Sequence, residues 1–534
     1  MTRSACAVFL LFVFAASPQA CQSPAADFKL TGEISAALDR ISAASMREHL
    51  KFIASDELQG RNTPSPGLDR AAEYVAAQFK KAGLQAVGDQ EYFQTANWVQ
   101  PLRDPKTFSL SIQSGNQILN ADPTQVSFTF PGALSLRGVS LVKVDFANTA
   151  SHAELKASDI EGKAVITELP DLQQADRSQR GLLIQAQNAF LSRLQSLKAA
   201  LVLSISRNAA GGTGFSPGRL IDPENRPPQG GQAGQAGQQA AVLPIVQLFG
   251  SGAASLFDAL PFGGTSAKLS INVDAPTEVP VKLRNVIGLL PGSDRVLRET
   301  YVLVTAHYDH LGVNPNVAGP DKIFNGANDD GSGTVSVMEI AAALSKLKQK
   351  PKRSIVFMTV FGEEKGLLGS RYYGRHPIFP IEKTVADVNL EQIGRTDDSE
   401  GPQVATCAVT GFDFSDVGEI FKAAGDLVGI KVFKHPTKSD SYFGRSDNQA
   451  LADQGVPAHT LSVAYEYPDY HRVGDHWDKV DYDNMVKVDR MVALGLLMIA
   501  NNPIEPKWNE ANPKSARYLR AWRDRRLQPN TARP

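Results

Sequence analysis

"VTAHYDHLG", residues 304–312, closes the strand-like run YVLVTA (301–306) and carries His307, Asp309 and His310 at its end. Three further runs have the same apolar character: SIVFMTVF (354–361), VADVNL (385–390) and PAHTLSV (457–463). Helical segments such as GTVSVMEIAAALSKL lie between them. Continuous apolar strands joined by helical crossovers predict an α/β fold, with a mostly parallel central sheet covered by helices on both faces. Such sheets bind ligands beyond the carboxyl ends of their strands. The polar clusters of this chain fall at those ends. His307 follows the first run, NGANDDGSG (325–333) opens the next helix, and Glu363 and Glu364 follow VFMTVFG. Glu391 follows VADVNL, and His471 lies in YPDYHRVGDHWDK.

Each of these has a plain structural reading when taken alone. A histidine after a strand is commonly a hydrogen-bonded core residue, adjacent glutamates commonly form a solvated turn, and NDDGSG suits a helix cap supplied by Asp330 or Ser332. Their succession along one sheet edge is what the plain readings leave to coincidence. Imidazole and carboxylate together suit zinc or a similar divalent ion. Five candidate ligands exceed the three that one catalytic metal needs and suggest two metals sharing a bridging carboxylate. A further carboxylate must then carry the proton between water and leaving group. Two adjacent glutamates can divide those tasks.

The chain has 534 residues, enough for two or three domains with cores of their own. Lys plus Arg number 55 against 56 for Asp plus Glu, so overall charge argues against a nucleic-acid partner. The opening MTRSACAVFLLFVFAASPQAC reads as a secretory signal over residues 1–20, with Cys21 as a possible lipid-bearing N-terminus. That predicts export, to the periplasm, the medium or the outer membrane as a lipoprotein, with a lipid anchor as the only membrane contact. Three cysteines are too few for a disulfide framework. LDRAAEYVAAQFKKAGL repeats Leu68, Ala71, Ala72, Val75, Phe79 and Ala82 at helical spacing, with Gly83 as a stop. Residues 28–124 form the N-terminal part of the main domain in this reading, and 279–503 form the rest. Between them, 125–278 read as a β-rich insert containing the Gln/Gly/Ala/Pro tract RPPQGGQAGQAGQQAA (226–241), and 504–534 as a basic polar tail with a short helix.

TAHYDHLG, NGANDDGSGT, FGEEKGLLGS, NLEQIGR, RSDNQALADQGVPA and DYHRVGDHWDKVDY, in that order, resemble the motif set of the di-zinc aminopeptidases of the bacterial leucyl aminopeptidase and glutamate carboxypeptidase type. The insert, with DIEGKAVITE and KAALVLSIS, is similar to the protease-associated domain that many members carry. The resemblance implies two zinc ions per chain and peptide substrates. His307 and Glu391 would bind one zinc, Glu364 and His471 the other, and Asp329 would bridge both. Asp309 would orient His307. Glu363 would be the general base, and Tyr470 would donate to the substrate carbonyl oxygen. His310 matches no role and reads as structural.

Two positions depart from the family pattern. Glu391 stands where Asp is usual, and Asn448 stands where RSDH has histidine; the first bears on amino-group recognition and the second on a pocket contact. The leading expectation is an exported zinc aminopeptidase. A carboxypeptidase on the same fold would want arginines near the pocket, for which Arg395 and Arg445 are candidates. A metal-free binding protein would show broken ligands, and none is broken. Phe412, Tyr442 and Tyr465 read as core aromatics that could also line a pocket.

Overall fold

The computed structural model describes residues 28–130, 132–170, 172, 177–207, 214–215, 218–225, 243–315 and 317–527. The expected signal segment, Cys21 and the 226–241 tract lie outside these residues. The chain divides into two compact units, one of residues 1–95, 284–314 and 323–534, the other of 96–283 and 315–322.

The first unit is built on strands β1 (Thr277–Leu290), β2 (Tyr301–His307), β3 (Ser354–Val360), β4 (Thr384–Leu390), β5 (Thr406–Val409), β6 (Lys431–Phe433) and β7 (Ala458–Ser462). Their order across the sheet is β1-β3-β2-β4-β7-β5-β6, with short N-terminal strands against β1. The central strands β3, β2, β4 and β7 run parallel. β1 and β5 pair antiparallel with β3 and β7. Every residue of β2, β3 and β4 is buried, which is why these strands read as unbroken apolar runs rather than alternating ones.

Helices α1 (Ala43–Ile53), α2 (Pro66–Ala82), α3 (Ser332–Leu344) and α4 (Tyr482–Asn501) cover this sheet. α2 starts where the Ser65 side chain accepts the Leu68 N–H and Pro66 presets the first turn. It stops at Gly83, whose φ of 87° suits a residue without Cβ. Its buried face, Leu68, Ala71, Ala72, Val75, Ala76, Phe79 and Ala82, is the periodic set read from the sequence, and it packs on α3, as does α1. α3 is buried on nearly all sides, because it lies between the sheet and these outer helices.

The C-terminal residues include a helix in the stretch expected to be a basic polar tail with a short helix. Trp508 and Tyr518 are both 3% exposed and stack with ring centroids 5.0 Å apart, and a helix runs over Ala516–Leu527. Their aromatic area repays burial although charged residues surround it in sequence.

The second unit has an eight-stranded sheet. Ala164–Thr167, Leu201–Ser206 and Ile245–Phe249 are its parallel central strands. Helix Arg177–Ser196 packs Phe190 and Leu194 against Val165 and Val202. Among the described residues, no helix is long and apolar enough to cross a membrane.

Candidate metal centre

His307 is the last residue of β2, and the parallel register sets it opposite Val360 at the end of β3. Two residues past Val360, Gly362 turns the chain with φ +69°, and Glu363 and Glu364 follow. Glu391 follows Leu390, the last residue of β4. Strand ends in register therefore bring imidazole and carboxylates to one edge.

Asp329 arrives by a tighter route. It lies in a bent turn, Ala327–Gly331, ahead of α3, and its peptide bond to Asp330 is cis. Three buried groups pin that turn. The Asp475 carboxylate accepts the N–H groups of Asn328 and Asp329 at 3.0 and 3.1 Å, and the Tyr467 hydroxyl at 2.9 Å. Arg61, fully buried, donates to the carbonyls of Tyr308, Asn325 and Gly326 at 2.7, 2.7 and 2.9 Å. Asp330 accepts from Gly333 N at 3.0 Å, capping α3, and from His307 N at 3.3 Å. Gly326, at φ +57°, leaves no room for a side chain: a Cβ there would stand 2.4 Å from both Asp329 O and the His310 ring.

Two donor triads share Asp329. One is His307, Asp329 and Glu391; the other is His310, Asp329 and Glu364; within each, the donor atoms lie within 4.8 Å of one another. His307 Nε2 is 3.3 Å from Asp329 Oδ1. His471 Nε2 is 3.1 Å from Asp329 Oδ2 and 3.3 Å from Glu364 Oε1. His310 Nδ1 is 2.9 Å from Glu364 Oε1 and 3.9 Å from Asp329 Oδ2. Despite these distances, His307 Nε2, His310 Nδ1, Asp329 Oδ2 and Glu364 Oε1 are buried without a hydrogen-bond partner. Atoms so close, yet off the hydrogen-bond direction, suit a shared cation between them, and orphaned buried polar atoms otherwise carry a large cost. The residues present thus fit a pair of divalent ions.

The supporting contacts are also in place. His307 Nδ1 faces the Asp309 carbonyl at 3.1 Å and its Oδ1 at 3.5 Å. Thr63 Oγ1 donates to Asp309 Oδ2 at 3.0 Å. The Ser446 hydroxyl donates to the half-buried Glu391. Asn448 lies away from the cluster, donating to Phe443 O at 3.0 Å and accepting from Thr460 Oγ1 at 2.8 Å. It is a buried structural bridge.

Burial and charge set the protonation of this edge. Burial favours the neutral acid at Asp329, but His307 and His471 outweigh it and hold the carboxyl below the usual range. Burial pushes Glu363 well above that range, with Glu391 adding to the rise. Glu391 itself is pushed up to about 7, chiefly by burial. His471 loses by burial but gains more from Asp329 and Glu364, and rises to about 10. Divalent charge at the cluster would act on every one of these groups in favour of the deprotonated form.

All eight residues singled out in the sequence meet at or beside this edge, Tyr470 as a 40% exposed ring stacked on His471 at 4.0 Å. His310 corrects its reading as a bystander, since it stands against Glu364. Its spacing, one residue past Asp309, held the only hint. Arg61 and Asp475 escaped notice because they act on backbone groups that no sequence pattern displays.

A cavity of about 330 Å³ opens beside the cluster, lined by Asp329, Glu363, Glu391, Tyr470 and His471 on one side. Fold and donor set define an α/β domain with a metal-binding strand edge. Residues 285–495 match the model of peptidase family M28. The chain is similar in structure to an aminopeptidase from Aneurinibacillus sp. strain AM-1, with TM-score 0.53 and 19% identity over 88% of this chain and 97% of that one. A probable zinc metalloprotease of Pyricularia oryzae is 30% identical over 38% of this chain and 39% of its own length. A probable glutamate carboxypeptidase of Arabidopsis thaliana is 26% identical over 47% and 36% respectively. The chain thus spans well under half the length of these curated relatives.

Proposed function

We propose that the chain is an exported two-zinc aminopeptidase that removes N-terminal residues from peptides. The observation that carries this reading is the pair of donor triads sharing Asp329, with the half-buried Glu363 lining the same cavity. His307, Asp329 and Glu391 would hold one zinc, and Asp329 and Glu364 the other, with His310 of the second triad and His471, 3.1 and 3.3 Å from those carboxylates, as its imidazoles. Zinc, when bound, supplies Lewis acidity toward a scissile carbonyl and lowers the pKa of water.

The protein's own groups do the rest. Glu363, free of ligand duty, takes a proton from the attacking water and delivers it to the leaving amine. Its backbone N–H is fixed by Asp309 at 3.0 Å, so the carboxyl is positioned from the side that steadies His307. Tyr470 stands at the cavity wall, where its phenol can donate to a substrate oxygen.

The relative named as a glutamate carboxypeptidase supports a second reading, hydrolysis of acidic C-terminal residues. Of the two arginines that reading would use, Arg395 is taken by Asp397 and Asp469 at 2.6 and 3.0 Å. Arg445 lines the cavity but lies over the Tyr442 ring at 4.1 Å. Metal content together with turnover of unblocked and N-acetylated peptides, before and after chelation, tests the choice. Release of unblocked N-terminal residues that stops on chelation supports the aminopeptidase; activity confined to N-acetylated peptides supports the carboxypeptidase.

A further inference from the structure

Outside the metal-binding edge, the helix layer conceals a carboxyl that neither ion nor substrate would touch. Asp489, on α4, is 0% exposed. Neither of its oxygens accepts a well-directed hydrogen bond, and the Ser336 hydroxyl opposite, also fully buried, makes none. The groups that act on Asp489 are that hydroxyl and the Glu339 carboxylate, both on α3.

A polar seam continues outward from this contact. Glu339, 5% exposed, accepts from Ser45 Oγ and lies 3.3 Å from His49 Nε2, and His49 Nδ1 meets the Tyr74 hydroxyl at 2.8 Å. Groups on α1 therefore answer the charge of Glu339. Asp489 has no such answer. Its neighbour Arg490 reaches Asp39 at 3.3 Å and Leu38 O at 3.2 Å instead. Among the described residues, no cation of α1, of helix Val417–Val428 or of strands β2 and β3, which also pack on α4, acts on it. Burying a charge without a partner is far costlier than burying the neutral acid, and burial accordingly holds this carboxyl well above its usual range.

We infer that Asp489 is a proton-operated clasp between α3 and α4: it stays a neutral acid while the two helices are packed, and giving up its proton to solvent drives them apart. The resulting carboxylate would face Glu339 with no cation between them. α3 begins at Ser332, directly after the turn that carries Asp329, so parting the helices also loosens the root of that turn. The clasp does not depend on what the site hydrolyses.

Equilibrium unfolding of the zinc-loaded full chain, wild type against D489N, isolates this group because all other titrations are common to both. The unfolded wild-type chain releases the Asp489 proton at the ordinary pH of an aspartic acid, whereas the folded chain keeps it. The unfolding constant of the wild-type protein relative to D489N should therefore rise about tenfold for each pH unit from pH 5 upward, levelling where the folded protein loses the proton. Hydrogen exchange of the backbone amides should show the same pH-dependent excess over D489N in residues 332–344 and 482–501. Parallel pH dependence of the two proteins, or an excess that spares both helices, overturns the inference. D489L is the second variant. A chain that folds with neither replacement also overturns it, since a neutral acid without partners tolerates an uncharged substitute.

Discussion

Asp309 Oδ1 accepts the backbone N–H of Glu363 at 3.0 Å, so one buried carboxylate sits between the end of β2, where His307 stands, and the turn that carries the candidate base. Ligand and base are separated by 56 positions in sequence but hang from a single side chain. Asp309→Ala should therefore impair both functions together. The expected loss is about ten- to a hundredfold in zinc affinity and in kcat, measured by chelator competition and steady-state kinetics on the same preparation. Loss of either one alone would show that the two are not joined through Asp309.

Glu363 coordinates neither ion in the proposed arrangement. Glu363→Gln should keep two zinc ions per chain and lower kcat by roughly 10²–10⁴-fold. Elemental analysis beside turnover checks both halves, and full turnover would place the base elsewhere.

His310 is 2.9 Å from Glu364 Oε1, and neither of its ring nitrogens has a hydrogen-bond partner. Whether it completes the second ion's ligands or steadies Glu364, His310→Ala should weaken binding of one of two zinc ions by about tenfold or more while the other is retained. Stepwise chelation reads the two affinities separately. Equal retention of both ions would return His310 to the role of a space-filling core residue.

His459 is a separate pH-sensitive element. Its Nδ1 donates to Thr410 O at 2.8 Å, and its Nε2 accepts from Ser415 Oγ at 2.6 Å. Burial holds the ring neutral and lowers its pKa to about 4. The folded protein then binds fewer protons here than the unfolded chain, so the stabilising contribution is complete above the ordinary value of 6.5. It is lost as pH falls from there toward 4, by up to about 3 kcal/mol. Denaturation midpoints measured between pH 7 and 4.5 should fall more steeply for the wild-type protein than for His459→Gln.

Chelation should also be visible without any substrate. The edge gathers Asp329, Asp330, Glu363, Glu364 and Glu391 in buried surroundings, and an ion that binds only the folded state adds about 2.7 kcal/mol at a hundred times its Kd. Chelator should lower the melting temperature by several degrees, and added zinc should restore it. An unchanged melting curve would mean that the cluster is at ease without a cation.

The strands were legible because burial on both faces leaves only apolar residues in YVLVTA, SIVFMTVF and VADVNL, and the site was legible because its side chains sit at the ends of those runs. Arg61 and Asp475 were not, since they serve backbone carbonyls and N–H groups contributed by distant loops. His310 reads as structural because it matches no role in the resembled motif set. The charge of the tail is compatible with the short helix expected there, and the buried Tyr518 with its stack on Trp508 explains why Ala516–Leu527 is ordered.

The Arg61 contacts have a consequence for how the molecule is made. Arg61 reaches carbonyls at Asn325 and Gly326, and the turn they begin is also held by Asp475. During synthesis the first helices must wait for α3, their packing surface, some 250 residues further along, and the ion-binding edge for nearly 150 more. Such long-range closure is slow, whereas the 96–283 segment contains its own core and can settle first. The metal-binding edge accordingly assembles only after residues as far apart in sequence as Arg61 and Asp475 have come together.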